Sequence, residues 1–144
     1  SHKKDRVYRY IREEYITNNT NLENYKVFIP AANGSGSLGE SLSTPMIGSS
    51  YTFMSIGNFK DEFEANAALK YVKSKFARVL LGILKITQHN PVATWKVVPL
   101  QDFTSNSDID WTKSISEIDQ QLYKKYGLSD EEINFIETKV QEMD

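Results

Sequence analysis

The chain has 144 residues, with 17 Lys and Arg against 19 Asp and Glu, no Cys, and only His2 and His89 as histidines. These counts fit one domain with a single core, and they exclude a Cys/His zinc site and a Cys–His nucleophile pair. Residues 1–100 hold thirteen basic and eight acidic residues, a balance of +5, whereas residues 101–144 hold four and eleven, a balance of −7. The basic part could face a polyanion, and the acidic part could stay in solvent or meet another basic surface.

The first predicted element is a helix over 5–17, with Tyr8, Ile11 and Tyr15 on one face. The chain starts without Met and without the apolar core of a signal peptide, and it contains no apolar run long enough to span a bilayer. We therefore expect a fragment of a longer protein that is soluble and cytoplasmic.

A strand over 25–29 leads into a long loop rich in Gly, Ser and Thr. Gly34, Gly36 and Gly39 match the G-x-G-x-x-G pattern of dinucleotide-binding turns. That turn needs a helix directly after the glycines, and the sequence over 40–45 does not favour one. We therefore expect glycines that let the backbone approach a partner, or plain hairpin flexibility.

Residues 51–56 form a second predicted strand, closed by Gly57 and able to pair with the first. A long helix is predicted next, capped by Asp61 with Glu64, and its apolar seam continues to Ile86. A basic stripe runs along another side of this helix: Lys70, Ser74, Arg78 and Lys85. Such a stripe is either a solvated face or a set of phosphate contacts.

A polar loop follows the long helix and contains Gln88, His89 and Asn90. Gln and Asn amides can pair bidentately with adenine, so this loop is a candidate base reader. The Asn-Pro pair in it is equally a turn signal that needs no partner. A strand over 94–98, with Trp95 and Lys96, is predicted after the loop.

Acidic helices are predicted beyond residue 104, with Trp111 anchoring the preceding loop on the core. Two capping-box pairs mark the helix starts, Ser114 with Glu117 and Ser129 with Glu132, and Gly127 is predicted to end the first helix in a left-handed conformation. The E-x-K spacing at 137–139 occurs in some nucleases, but here it lies on an amphipathic helix without a further sheet-borne carboxylate for Mg²⁺. We predict no catalytic residue and no metal site in this chain.

Together these elements predict an α+β fold. A small mixed or antiparallel sheet is expected to pack on a long central helix, with a C-terminal helical hairpin. We expect a single domain over 1–144, made of an α/β recognition core over 1–103 and an acidic helical tail over 104–144.

The order of these segments resembles one protein family. The segments are Val7-Tyr-Arg-Tyr-Ile11, Lys26-Val-Phe-Ile-Pro30, Asn33-Gly-Ser-Gly36, Ser43-Thr-Pro45, Ile47-Gly48, Leu69-Lys-Tyr-Val-Lys-Ser-Lys-Phe76, Thr87-Gln88, Val98-Pro-Leu-Gln-Asp-Phe103 and Leu122-Tyr-Lys-Lys-Tyr-Gly127. They are similar to the C-terminal part of type II restriction-modification adenine-N6 DNA methyltransferases, including enzymes with endonuclease activity. The run over 98–136 is the most specific part of the likeness, and Ser49-Ser-Tyr51 is shorter than the insertion expected there.

The resemblance implies a region similar to a TaqI-like specificity domain, which recognises duplex DNA for an upstream methyltransferase domain of the same chain. It implies S-adenosylmethionine, with Mg²⁺ as a second candidate, as cofactors of the parent protein and none in this region. Asn90-Pro-Val-Ala93 is not the Asn-Pro-Pro-aromatic segment of the catalytic part. We therefore expect DNA recognition here, and methyl transfer elsewhere in the parent.

The candidate DNA contacts follow from side-chain chemistry. Cationic side chains would neutralise phosphates: Lys70, Arg78, Lys85 and Lys96. Small polar, amide and imidazole side chains would contact bases or shape the loops: Asn33, Ser35, Ser37, Ser43, Thr44, Gln88, His89 and Asn90. The alternative is a docking module of the same assembly, which uses its acidic helices over 116–143 and reads no bases.

Overall fold

The computed structural model describes residues 8–17, 20–31, 41–84 and 95–143. They contain a 3-10 turn at Glu13–Tyr15, three strands (β1, Tyr25–Pro30; β2, Ser41–Ser43; β3, Phe53–Phe59) and four α-helices (α1, Glu62–Lys73; α2, Lys75–Leu84; α3, Ile115–Tyr126; α4, Asp130–Lys139). The fold is α+β, as predicted. No helix within these four ranges has the length and apolar character needed to cross a membrane.

The strands form an antiparallel sheet in the order β2-β1-β3. β1 pairs with β3 as predicted, and Val27 lies opposite Ile56. β2 is an addition to the prediction, because it lies in the Gly/Ser loop and pairs Leu42 with Val27. Residues 41–43 are therefore a strand, and the helix that a dinucleotide-binding turn requires does not form there.

Two apolar clusters hold the fold together. The smaller one packs the sheet on α1 and consists of Val27, Ile29, Ala68 and Val72. The larger one joins α1 and α2 to the C-terminal region: Ala67, Tyr71, Phe76, Ala77, Ile109, Trp111, Ile118, Leu122, Tyr123 and Ile136. Trp111 anchors this region on the core, as predicted. Its side chain is 3% exposed, and its indole N–H donates to the Asp102 carbonyl at 2.8 Å. The two C-terminal helices therefore share a core with α1 and α2.

The connection from β2 to β3 returns along the whole sheet. Both strands are antiparallel to β1 and hence parallel to each other, so the chain must travel back between them. It starts beside Lys26, which pairs with Ser43. It ends beside Pro30, which pairs with Phe53. At that end the Ala31 N–H donates to the Thr52 carbonyl at 2.8 Å, which fixes the connection to the end of β1.

The predicted long helix is broken at Ser74 into α1 and α2. Ser74 has ψ 146°, and its hydroxyl donates to the Tyr71 carbonyl at 2.6 Å and accepts from the Ala77 N–H at 3.1 Å. Asp119 in α3 accepts the first two amides of α2, from Lys75 at 3.0 Å and Phe76 at 2.9 Å. The break is therefore a capped junction, and the apolar period continues across it.

The helix predicted over 5–17 is wrong in its described part. Residues 8–12 have no regular structure, and only Glu13–Tyr15 forms a 3-10 turn. Tyr8, Ile11 and Tyr15 stay exposed. A helix of this length needs to bury its apolar face, and the described residues leave that face uncovered.

The predicted signals of the C-terminal helices are confirmed. Both capping boxes form, at Ser114 and Ser129. Gly127 has φ 64°, and the Leu128 N–H reaches the Tyr123 carbonyl at 3.0 Å, which closes a Schellman-type turn. α4 ends at Lys139, and both helices pack against α2. Their pairing as a hairpin stays a prediction.

Gly57 lies at an irregularity in the β1–β3 pairing, where β3 gains extra length between Ile56 and Phe59. Its φ of 87° is in the left-handed half of the map. A Cβ placed on Gly57 would lie 2.0 Å from the ring of Phe59. Phe59 packs against the smaller cluster, so the ring has little freedom to move away.

Gly57→Ala is therefore expected to lower the free energy of unfolding by about 2 to 4 kcal/mol, because the methyl group adds a clash to an unfavourable φ. Gly48→Ala is the matched control, since a Cβ there meets nothing within 4 Å. Urea denaturation of both variants measures the difference. Equal midpoints for the two would show that the strand relaxes around the bulge.

Candidate nucleic-acid interface

The structure describes five of the twelve predicted contact residues: Lys70, Arg78, Lys96, Ser43 and Thr44. The other seven lie outside the described ranges: Asn33, Ser35, Ser37, Lys85, Gln88, His89 and Asn90. The surroundings of the first five decide which of them have a side chain available to a ligand.

The Lys70 ammonium is bound by the protein itself. Its Nζ donates to the carbonyls of Trp111 at 2.8 Å, Thr112 at 3.3 Å and Lys113 at 2.7 Å. An ammonium has three hydrogens, so these carbonyls use its whole donor capacity. Lys70 thus ties α1 to the segment that leads into α3.

Arg78 also contacts the C-terminal region, because its Nη1 donates to the Gln141 carbonyl at 2.5 Å. Lys75, at the start of α2, pairs with the Glu137 carboxylate of α4. Ser74, which lies between Lys70 and Arg78 on the predicted stripe, is fully buried. The described part of the stripe therefore faces the C-terminal region, and cations of the basic part bind groups of the acidic part inside the chain.

Lys96 is the one predicted cation whose described surroundings leave it available. Its side chain is exposed and has no hydrogen-bond or ion-pair partner within the described ranges. The strand predicted over 94–98 is wrong over 95–98, where the Val98 N–H closes a turn onto the Trp95 carbonyl at 3.1 Å. A turn leaves the Lys96 side chain in solvent beside the polar segment that precedes it.

Ser43 and Thr44 differ in exposure although they are adjacent. Ser43 is buried, and its hydroxyl lies 3.4 Å from the Thr44 carbonyl. Thr44 is exposed, so its hydroxyl can meet a ligand. Of this pair, only Thr44 has the accessibility that a DNA contact requires.

Trp95 follows the polar segment in sequence, and its side chain packs against the smaller cluster, which joins β1 to α1. Its indole N–H is buried and has no acceptor among the described residues. That cluster combines Val27 and Ile29 of β1, the strand that leads into the Gly/Ser loop, with Ala68 and Val72 of α1.

Lys26 is a buried cation that the sequence reading did not select. It is 1% exposed, and its three hydrogens are shared among four carbonyls, those of Asn21 at 3.0 Å, Leu22 at 3.2 Å, Asn24 at 3.0 Å and Thr44 at 3.4 Å. Burial lowers the pKa of Lys26. Its only sequence signal is a lysine in an otherwise apolar strand, and its role is to hold the loops at one end of the sheet.

A second buried polar group joins three helices. Asp119 is 1% exposed, and burial raises its pKa to about 6, against the amides of α2 that favour the carboxylate. The Tyr123 hydroxyl donates to Glu137 at 3.0 Å, and the other Glu137 oxygen binds Lys75. These groups satisfy one another across α2, α3 and α4, which makes the cluster a structural lock.

A surface cleft of about 440 Å³ lies between α1 and the start of α3, lined in part by Lys70, Lys73, Ser114 and Glu142. Lys70 is committed to carbonyls, and Ser114 is paired with Glu117 in the cap. The cleft therefore presents no set of groups that selects a ligand. No cluster of three or more His, Asp or Glu side chains within the described ranges is placed to hold a metal ion.

No protein-family model, curated protein or solved structure matches this chain.

Proposed function

We propose that the chain is the target-recognition region of an adenine-N6 DNA methyltransferase of the restriction-modification type. It binds duplex DNA sequence-specifically, while S-adenosylmethionine and the catalytic residues belong to the upstream domain of the parent. The observation that carries the proposal is the packing of Trp95, which follows the second predicted contact loop, against the cluster between β1 and α1. Because β1 also leads into the Gly/Ser loop, this packing supports a position of both predicted contact loops near one small sheet, which a shared DNA face requires.

The most family-like run, 98–136, supplies the support for these loops. Gln101 is buried, and its amide donates to the Tyr126 hydroxyl at 2.7 Å and the Pro99 carbonyl at 3.1 Å. Asp119 and Trp111 likewise bind backbone groups. The polar groups of these side chains make hydrogen bonds inside the fold and are not available to DNA. We therefore assign the DNA contacts to the loops, where the sequence can vary without unfolding the region.

The proposed contact set keeps Lys96 and Thr44 from the described residues. It also keeps the loop candidates Asn33, Ser35, Ser37, Lys85, Gln88, His89 and Asn90. Lys70 and Arg78 are better suited to holding the C-terminal region, given their bonds to its carbonyls. Ser43 supports the loop from inside.

Lys96→Ala and Lys70→Ala form a matched pair that tests which lysine contacts DNA and which holds the C-terminal region. Lys96→Ala is expected to weaken binding to all duplexes and to reduce the slope of log affinity against log salt by about one, because one phosphate contact is lost. Lys70→Ala is expected to lower the unfolding midpoint and leave that slope unchanged. Fluorescence anisotropy over a salt series, with urea denaturation, measures both. A slope change for Lys70→Ala with none for Lys96→Ala would reverse the assignment.

Selection of duplexes from a random pool by the wild-type chain tests the proposal itself. A consensus sequence that includes adenine is the expected result. Recovery of the pool without enrichment would contradict sequence recognition and would favour the docking module.

A further inference from the structure

Four consecutive hydroxyl-bearing residues, 49–52, occupy the end of the β2–β3 connection, and all four are exposed. Tyr51 is 95% exposed, which leaves its ring and hydroxyl without cover from the described residues. Exposure alone does not distinguish Tyr51, because Tyr10 is 108% exposed. The distinguishing feature of Tyr51 is its place in a hydrogen-bonded turn at the end of the sheet. We call residues 49–52 the hydroxyl turn.

The hydroxyl turn is held firmly although its side chains are exposed. The Phe53 N–H donates to the Ser50 carbonyl at 3.0 Å, which closes a β-turn with Tyr51 at its first central position. Thr52 accepts from the Ala31 N–H at 2.8 Å. The Ser50 and Thr52 hydroxyls are 2.7 Å apart, and since one hydrogen serves that bond, the other stays available to a ligand.

The position of the hydroxyl turn agrees with the proposed DNA face. Ala31 follows β1 and precedes the Gly/Ser loop, so its bond to Thr52 brings Tyr51 to the point where that loop departs. The cluster that Trp95 packs against includes Val27 and Ile29 of the same strand. Tyr51 therefore lies at the end of the sheet where β1 leads into the Gly/Ser loop.

The chemistry of this stretch suits an anion without using a cation. Between Lys26 and Lys60, Glu40 is the only charged residue, whereas residues 41–55 contain eight Ser, Thr and Tyr. Hydroxyl groups of these residues are common donors to DNA phosphates. A neutral donor makes that bond without replacing a condensed counterion. Unlike a lysine contact, it therefore adds affinity without adding to the salt dependence of binding.

We propose that the hydroxyl turn is a neutral phosphate-binding site, in which the Tyr51 hydroxyl donates to a phosphodiester oxygen of duplex DNA. This inference rests on the proposed function and adds to it a contact that the side-chain chemistry of the loops did not select. In this proposal Tyr51 helps to fix the position of the chain along the duplex, and the loops read the bases.

Tyr51→Phe removes the hydroxyl and keeps the ring. Loss of one hydrogen bond to a charged group is expected to weaken binding about tenfold or more. The factor should be the same for a selected duplex and a random-sequence duplex, and the salt slope should not change. Tyr15→Phe is the matched control, since Tyr15 is an exposed tyrosine on a different segment. Anisotropy titrations of the full chain at several salt concentrations measure these effects.

Other results overturn the inference. Wild-type affinity for Tyr51→Phe would exclude the hydroxyl contact, even if Tyr51→Ala were weaker through loss of the ring. A loss confined to the selected duplex would assign Tyr51 to base reading. A reduced salt slope would point to a rearranged cation. If the wild-type chain bound no duplex, the proposed function would fail as well, whereas normal wild-type binding with a silent Tyr51→Phe would remove the hydroxyl turn alone.

Discussion

Lys26→Met is expected to lower the free energy of unfolding by about 2 to 4 kcal/mol, because it leaves several carbonyls at one end of the sheet without their donor. The ammonium donates to carbonyls from the loop before β1 and to the Thr44 carbonyl after β2. Methionine has a similar length and no donor. The carbonyls would then lose their partners where Lys26 itself is only 1% exposed to water.

Lys60→Met provides the control for this loss. Lys60 follows β3 and is exposed, so the same change there should cost less than about 0.5 kcal/mol. Urea denaturation of both variants at neutral pH gives the comparison. A similar small loss for both would mean that water replaces the ammonium at the carbonyls, and that Lys26 contributes mainly through its apolar stem.

Local signals explain which elements could be predicted from sequence. A capping box or a glycine stop involves residues three to five apart, so Ser114, Ser129 and Gly127 each carry their own evidence. The pairing of β1 with β3 is also accessible, since both strands have the apolar character of a packed sheet. The two helices after residue 114 follow from signals of this kind.

The break at Ser74 depends on distant residues and could not be predicted from periodicity. Its own hydroxyl caps α2, but Asp119 supplies the acceptors for two more amides, and it lies in another helix. Serine is compatible with both a helix interior and a cap. Without knowledge of Asp119, the continuous apolar seam favours one helix.

The candidate interface has the same limitation. Helical spacing places Lys70 and Arg78 on one side of a helix, but it does not identify what covers that side. The acceptors of both are main-chain carbonyls, of residues 111–113 and of Gln141, which leave no charge signal in the sequence. Tyr51 is the converse case, because its place in the turn at the end of the sheet, which the sequence does not reveal, distinguishes it from the other exposed tyrosines.

Asp119→Ala is expected to lower the free energy of unfolding by about 2 kcal/mol or more at pH 7, because the first two amides of α2 lose their acceptor in a buried place. The same change also removes the link between α2 and α3. Asp130→Ala is the control, since Asp130 is an exposed residue in the first turn of α4 and should cost less than about 1 kcal/mol.

The cost of Asp119→Ala should increase toward acid pH. Burial raises the pKa of Asp119 from 3.8 to about 6 in the folded state, so between these values the folded state binds more protons than the unfolded state. Stability due to Asp119 then falls as pH rises through this window, by about 2 kcal/mol between pH 4 and pH 7 at 1.4 kcal/mol per pH unit. Exposed carboxyl groups are common to both proteins and cancel in the difference. Urea denaturation of wild type and Asp119→Ala at pH 4 and pH 7 measures it, and a cost that grew toward pH 7 would mean that the α2 amides and Lys75 favour the carboxylate more than burial opposes it.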